Sequence, residues 1–195
     1  MLQGVAKVKK LVNDYLAHDL PTRLVTYRNY WEVDEDSLPE PLLYLTYEPV
    51  ALDHWPTLIT VAISMPDLTR DDYDQNLNPQ YSVRYTMRTY VWVKADGSEQ
   101  CTEMRDNLTT VVRSALLDHP SLRTYNNSSC DVLIEESSIR EEYSDLTLIK
   151  GERVMAGAYI GYDINADEEI LRSPIADSIN QIQIETEILA HTTES

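Results

Sequence analysis

The stretch Tyr81–Lys94, YSVRYTMRTYVWVK, decides the fold. Its side chains alternate between an apolar set and a more polar set. The apolar set is Tyr81, Val83, Tyr85, Met87, Val91 and Val93, and the other is Ser82, Arg84, Thr86, Arg88, Tyr90 and Trp92. Successive side chains of a β-strand point to opposite faces, so this period of two predicts a long strand with one buried face.

The residues after this strand predict a helix. Asp96-Gly97 is a turn signal, and Ser98 is a residue type preferred at the N-cap. Apolar side chains then recur at helical spacing until Pro120 ends the pattern. They are Cys101, Met104, Leu108, Val111, Val112, Ala115 and Leu116. The chain therefore passes from a half-buried strand into an amphipathic helix.

The residues before the long strand predict a second helix and two strands. Residues 2–18 carry apolar side chains at helical spacing, and Pro21 is expected to end this helix. The apolar runs Leu42–Glu48 and Pro56–Met65 are typical of strands. The segment Pro66–Pro79 contains four aspartates between two prolines, which favours a solvated loop.

Two more strands are predicted at Val132–Glu136 and Arg153–Tyr162. The order of helix, strands, helix and strands indicates an α+β fold, a mainly antiparallel sheet packed with two helices. A chain of 195 residues is long enough for one core and short for two. We therefore predict one domain over residues 1–163, followed by an extended segment over residues 164–195.

The C-terminal segment is predicted to be an acidic connector followed by a strand-like arm. Asn165–Glu169 is polar and acidic, whereas Ile182, Ile184 and Ile188 alternate with Gln and Glu residues. An isolated strand is not stable in water, so the isoleucines need a partner. The candidates are the sheet of its own subunit, the edge of a neighbouring subunit and a neighbouring protein reached by strand addition. We expect an intermolecular partner, and the alternative to an arm is a disordered tail.

The polar face of the long strand is the candidate interface. Tyr90 and Trp92 are large aromatics there, beside Arg84 and Arg88. Tyr, Trp and Arg are enriched in the cores of protein interfaces. The alternative is an ordinary exposed face with surface cations. The interface set consists of Arg84, Arg88, Tyr90, Trp92, Ile182, Ile184 and Ile188.

The net charge of −17 limits the classes of partner. Such a surface repels phosphate backbones and anionic membranes, so tight nucleic-acid or membrane binding is disfavoured. The charge is uneven, because residues 1–31 carry +3 and residues 163–195 carry −7. A basic start and an acidic end suit head-to-tail contact between copies, although solubility alone would also account for them.

The sequence contains no pattern that indicates catalysis, a cofactor or a metal. The run Asp163–Glu169 begins like a calcium loop but has Glu168 where that loop requires glycine. The cluster Asp71, Asp72 and Asp74 is better explained as a solvated loop. The four histidines form no pair at zinc-ligand spacing, and no glycine-rich phosphate loop is present. We therefore predict no catalytic residues, no cofactor-binding residues and no metal ligands.

The sequence of elements resembles the tail terminator family of tailed phages, also called tail completion or tail-to-head joining proteins. The resemblance covers residues 1–163. It rests on YTMRTYVWVKADG at 85–97, the Leu-Leu-Asp-His-Pro end of the second helix at 116–120, and Tyr159-Ile-Gly-Tyr-Asp163 in the last strand. The C-terminal segment departs from the compact family pattern.

The resemblance implies a structural virion protein and no enzyme. A family member forms a homo-hexamer in the neck of the virion, where it caps the tail tube, stops its polymerisation and joins the tail to the head-completion or connector protein. DNA would pass through the ring without specific binding, and no cofactor is implied. The protein would be made in the host cytoplasm and end in the virion. The alternatives are another neck component, such as a head-completion or adaptor protein, and a small acidic enzyme.

Overall fold

The computed structural model describes residues 4–47, 57–73, 79–122, 132–144, 147–148 and 153–169, with the backbone alone at 58–73, 79–81, 147–148 and 169. Within these ranges the chain forms two helices and six strands. In chain order they are α1 (Gly4–Trp31), β1 (Leu43–Leu45), β2 (Thr57–Tyr73), β3 (Pro79–Ala95), α2 (Ser98–Asp118), β4 (Val132–Tyr143), β5 (Thr147–Leu148) and β6 (Val154–Glu169).

The strands form one sheet with the order β1-β2-β3-β6-β4, and β5 pairs with β6. Every pairing is antiparallel except that of β1 with β2. The long alternating segment is the centre of this sheet, since β3 pairs along its length with β2 on one side and β6 on the other. The predicted α+β class with a mainly antiparallel sheet and two helices is confirmed.

The two helices cover one face of the sheet. The apolar side chains of β3 and β6 are buried together with those of α1 and α2 in a single core. The helices also contact each other, because the hydroxyl of Tyr15 on α1 donates to the backbone carbonyl of Ala115 on α2 at 2.6 Å. Arg23 on α1 pairs with Asp118 at the end of α2 at 2.7 Å. The result is a two-layer structure whose other sheet face carries no helix among the described residues.

The prediction that Pro21 ends α1 is wrong, because the helix continues through Pro21 to Trp31. Leu16, Leu20 and Leu24 are all fully buried on the face that packs against the sheet. A proline inside a helix costs roughly 3 kcal/mol. Burying each leucine contributes about 1.5–3 kcal/mol, so continued packing outweighs the lost hydrogen bond.

The predicted loop at Pro66–Pro79 is also wrong over most of its length. β2 extends to Tyr73 and β3 begins at Pro79, and the two pair throughout this region. Within the described residues β1 pairs with β2 only at positions 58–60, so Pro66 lies on an edge where its missing N–H is tolerated. The register between β2 and β3 shifts near residues 63–65 and again near 70–72. Such shifts are typical of β-bulges, which are common in edge strands.

The predicted connector at residues 164–169 is strand, because β6 extends to Glu169. Ile164 and Ala166 are buried in the core. The buried carboxylate of Glu168 accepts hydrogen bonds from the backbone N–H of Gly4, at 2.8 Å, and from the hydroxyl of Tyr85. This part of the chain thus contacts the start of α1. Residues 170–195, which include Ile182, Ile184 and Ile188, lie outside the described residues.

The second helix is confirmed with its apolar stripe, since all seven residues of the stripe are buried. Its N-cap is Gly97 rather than Ser98, which is the first helical residue, and no side chain caps it. The strand predicted at Val132–Glu136 extends to Tyr143. No helix in the described part of the chain is long and apolar enough to span a membrane.

Candidate interaction face

The helix-free face of the sheet carries the four residues of β3 that the sequence assigns to an interface. Val83, Tyr85, Met87, Val91 and Val93 are buried beneath the helices. Arg84, Arg88, Tyr90 and Trp92 therefore point to the opposite face, with Arg84 exposed and the other three partly buried. The predicted division of the strand into two faces is confirmed. The role of the polar face as an interface stays a prediction.

Three aromatic rings form the centre of this face. The rings of Tyr90 and Trp92 are nearly parallel, with centroids 6.2 Å apart and planes at 7°. Tyr159 lies opposite Tyr90 on β6, and its ring centroid is 5.5 Å from that of Tyr90. Aromatic pairs at such separations contribute about 0.5–1.5 kcal/mol beyond the burial of their area. The cluster is therefore a fixed apolar surface, although it lies on the exposed side of the sheet.

Gly157 allows Trp92 to lie flat on the sheet. The two residues pair across β3 and β6. A Cβ at position 157 would lie 2.5 Å from Cε3 of the Trp92 ring, well inside the normal carbon–carbon contact of about 3.5–4.0 Å. No side chain fits there while the ring stays in place. The position of the indole thus depends on a glycine in the neighbouring strand.

Arg88 is part of the aromatic cluster through its contacts with Tyr90 and Tyr159. Its guanidinium lies over the ring of Tyr159, 4.8 Å from the centroid, in a cation–π contact. A hydrogen bond to the hydroxyl of Tyr90 raises the pKa of Arg88 above its usual value. The hydroxyl of Tyr159 donates to Glu142, which raises the pKa of Tyr159. Arg88 therefore stays charged and is held in one place by aromatic side chains.

A second arginine, Arg140 on β4, lies beside Arg88. In the register of the sheet Arg88 is opposite Gly161 of β6, and Gly161 is opposite Arg140. A Cβ on Gly161 would lie 3.1 Å from Nε of Arg140, so the Arg140 side chain crosses over this glycine. Two strand spacings place the Cα atoms of the arginines about 10 Å apart. The glycine leaves room for the two cationic side chains to approach each other.

These two arginines differ from most others in how they are paired. Of the arginines whose side chains the structure describes, five lie within 3.4 Å of a carboxylate oxygen, namely Arg23, Arg28, Arg105, Arg113 and Arg153. Among the described residues, no carboxylate oxygen lies within 4.0 Å of Arg88 or Arg140. The Nε atom of Arg88 is buried without a hydrogen-bond partner in the same part of the chain. Neither guanidinium group is neutralised by a described carboxylate; Arg140 is exposed, whereas Arg88 is partly buried and its Nε is not accessible to a partner.

A groove of about 130 Å³ runs beside the aromatic cluster. Tyr90, Trp92 and Tyr159 line one side, and Glu142 and Ser144 at the end of β4 line the other. The hydroxyl of Ser144 bonds to the backbone of Gly157, which fixes this end of β4 against β6. The groove has room for one side chain of a partner, and Arg88 lies next to it over the ring of Tyr159.

The sequence prediction found part of this face. Arg88, Tyr90 and Trp92 come together as one contact group, whereas Arg84 lies about 13 Å along the strand from Arg88. Tyr159, Arg140 and the two glycines were missed as members. A glycine inside a strand often marks the close approach of another group, so AGAYIGY at 156–162 held a usable signal.

The described residues show no metal site. Across 4–47, 57–73, 79–122 and the shorter ranges that follow, no group of three His, Cys, Asp or Glu side chains could hold a metal ion. The side chains of Asp71, Asp72 and Asp74 lie outside what the structure describes. Asp163 is part of β6, and its carboxylate accepts a hydrogen bond from Thr86 at 2.8 Å.

The fold and this face together define a class: a two-layer α+β protein with one helix-free sheet face that presents aromatic and arginine side chains. Comparison with models of protein families and with curated proteins gives no match for the chain.

Proposed function

We propose that this chain is a structural virion protein that assembles into a hexameric ring in the neck of a tailed phage. The ring caps the tail tube, stops its polymerisation and joins the tail to the head connector. The proposal rests on the resemblance over residues 1–163 together with the helix-free face of the sheet. The protein acts by binding other subunits and has no catalytic role in this proposal.

The observation that carries the proposal is the aromatic and arginine cluster on the helix-free face. A sheet face that contacts only water is usually polar, whereas this one holds Tyr90, Trp92 and Tyr159 in mutual contact. Arg88 belongs to the same cluster, since its guanidinium lies over the ring of Tyr159. Clusters of Trp, Tyr and Arg dominate the energetics of protein interfaces. This composition supports a protein partner.

The charge of the chain agrees with a ring around DNA. Six copies carry six times −17, or −102. Walls that repel phosphate let DNA pass, because favourable contacts would hold it during ejection. The same charge disfavours the binding of isolated copies to nucleic acid, and it makes copies repel each other unless local contacts of opposite charge join them.

The mass of the purified protein in solution is the first test. We expect a hexamer, or a monomer that forms a hexameric cap on isolated tail tubes. A protein that stays monomeric and does not bind tubes would overturn the proposal.

A substitution on the face tests its role. Arg88→Glu reverses the charge within the cluster and is expected to weaken self-association or tube binding by at least about tenfold while the monomer stays folded. Arg153→Glu makes the same charge change at an arginine whose side chain is 63% exposed, and it serves as the control. Unchanged assembly of the Arg88 variant would show that this face is not the contact.

A further inference from the structure

The acidic loop after α1 has the charge and rigidity to complement the two arginines. It carries Glu32, Asp34, Glu35, Asp36 and Glu40 within nine residues, all exposed. Arg28 of α1 pairs with Glu35 at 3.0 Å and donates from Nε to the carbonyl of Leu38 at 2.9 Å. The side chain of Leu38 is fully buried. The loop is thus anchored from below while most of its carboxylates point to solvent.

A local turn adds to this order. The carboxylate of Asp34 accepts the backbone N–H of Ser37 at 2.9 Å, and this bond lowers the pKa of Asp34. Glu32 and Asp36 make no ion pair among the described residues. Both carboxylates therefore have oxygens that can accept hydrogen bonds from a partner. Because the loop is already ordered, less conformational entropy is lost on binding.

The loop cannot reach the arginines of its own subunit. It connects α1, in the helix layer, to β1 at one edge of the sheet, whereas Arg140 lies on β4 at the opposite edge. Four strand spacings separate β1 from β4, or about 19 Å, and the arginines face away from the helix layer. Two complementary surfaces on different sides of one molecule give a head-to-tail contact between copies, which closes into a ring when the rotation allows it.

We propose that the acidic loop of one copy, through Glu32 and Asp36, docks on Arg88 and Arg140 of the next copy. This inference rests on the proposed function, since it names the two surfaces that join subunits in the ring. The planar guanidinium groups match carboxylates in a bidentate geometry, and the adjacent aromatic groove supplies apolar contact. The partner is an identical copy, because every copy carries the acidic loop and also, at the opposite edge of its sheet, the two arginines that the loop can meet only in another subunit.

A charge swap between two variants tests the contact. The first variant carries Arg88→Glu and Arg140→Glu, and the second carries Glu32→Lys and Asp36→Lys. Each variant alone places like charges at every contact, so we expect self-association to weaken by about 100-fold for each. In an equimolar mixture every acidic patch can meet a basic one. The mixture is therefore expected to recover rings of wild-type subunit number in which the two variants alternate.

Native mass spectrometry measures this directly, because the two variants differ in mass. A double variant with Lys10→Glu and Arg153→Glu changes the net charge as much as the first variant does, and it should assemble like the wild type. Recovery of assembly in the mixture also shows that both variants are folded.

The outcomes separate the two proposals. If either variant assembles alone as the wild type does, or if the mixture stays dissociated, the loop is not the partner of the arginines, while wild-type rings would still support the proposed function. If the wild-type protein forms no ring in solution or on tubes, both proposals fall.

Discussion

Replacing Gly157 with alanine should displace Trp92 and so test the architecture of the face. The new Cβ would lie 2.5 Å from Cε3 of the indole, so the ring must move away from the sheet and lose its contacts there. Forcing an extra carbon into a packed contact costs about 1–3 kcal/mol. The loss of chain entropy in the unfolded state offsets about 0.4–1 kcal/mol for a glycine-to-alanine change. We expect a net destabilisation of about 1–2 kcal/mol.

Thermal or denaturant unfolding measures this effect. For a chain of this size each kcal/mol lowers Tm by about 2–4 °C, so a decrease of roughly 2–8 °C is expected. Gly161→Ala is the matched control, since it lies on the same face of the same strand. Its Cβ would meet Nε of Arg140 at 3.1 Å, the flexible part of a side chain that can move aside. That variant should stay within about 0.5 kcal/mol of the wild type.

A double-mutant cycle isolates the contact between the two residues. Once Trp92→Leu has removed the indole, Gly157→Ala should cost little, so the two substitutions should be non-additive by about 1 kcal/mol or more. Additive costs would contradict the reasoning, as would a Gly157→Ala protein of wild-type stability. Either result would mean that the indole does not lie over Gly157.

Three further predictions concern a buried carboxylate, an ion pair between the two helices and the C-terminal segment. Glu168→Leu should lower the free energy of unfolding by about 2–4 kcal/mol, because it removes two hydrogen bonds to a buried carboxylate. Asp167→Asn, at an exposed position, is the control. Equal stability of the two variants would contradict this role of Glu168. The hydrogen bond from Arg23 lowers the pKa of Asp118 in the folded protein. The ionised carboxylate of Asp118 therefore stabilises the fold above its unfolded pKa of about 3.9, and this stabilisation is lost as the pH falls through the lower pKa of the folded state. Unfolding measured from pH 5 to pH 2 should therefore depend less on pH in Asp118→Asn, and an identical profile would refute the linkage. Deleting residues 170–195 should leave the circular dichroism of the core unchanged but weaken ring formation or joining to the neighbouring protein, and normal assembly would exclude a role for the arm.

The sequence predicted those elements whose pattern is local. The alternation in Tyr81–Lys94 and the stripe in α2 arise from the geometry of a single strand and a single helix, and both are confirmed. Three errors share a different origin. The local sequence argues against regular structure at Pro21, at 66–73 and at 164–169. Regular structure nevertheless forms at these places, because packing or pairing with distant parts of the chain stabilises it. Such long-range interactions cannot be read from a short stretch of sequence.

The same limit applies to the candidate face. Arg88, Tyr90 and Trp92 were predicted together because they lie on one strand. Arg140 and Tyr159 join them only through the register of β4 and β6 with β3, and periodicity does not reveal that register. The two glycines of β6 were the one sign of these contacts in the sequence, because glycine inside a strand often marks the close approach of a side chain from a neighbouring strand.

The alternation of side chains along β3 allows the proposed association to be tested separately from stability. Met87 and Val91 are fully buried beneath the helices, and between them the hydroxyl of Thr89 bonds to Tyr162 at 2.9 Å inside the core. Truncating Met87 to alanine would cost about 2–5 kcal/mol, a large part of the stability of a typical domain. Arg88 is adjacent in sequence, but its change leaves the core intact because its contacts lie on the opposite face. Substitutions on this face are thus expected to reduce assembly without unfolding the protein. Substitutions at the neighbouring odd-numbered positions, whose side chains are in the core, are expected to reduce stability instead.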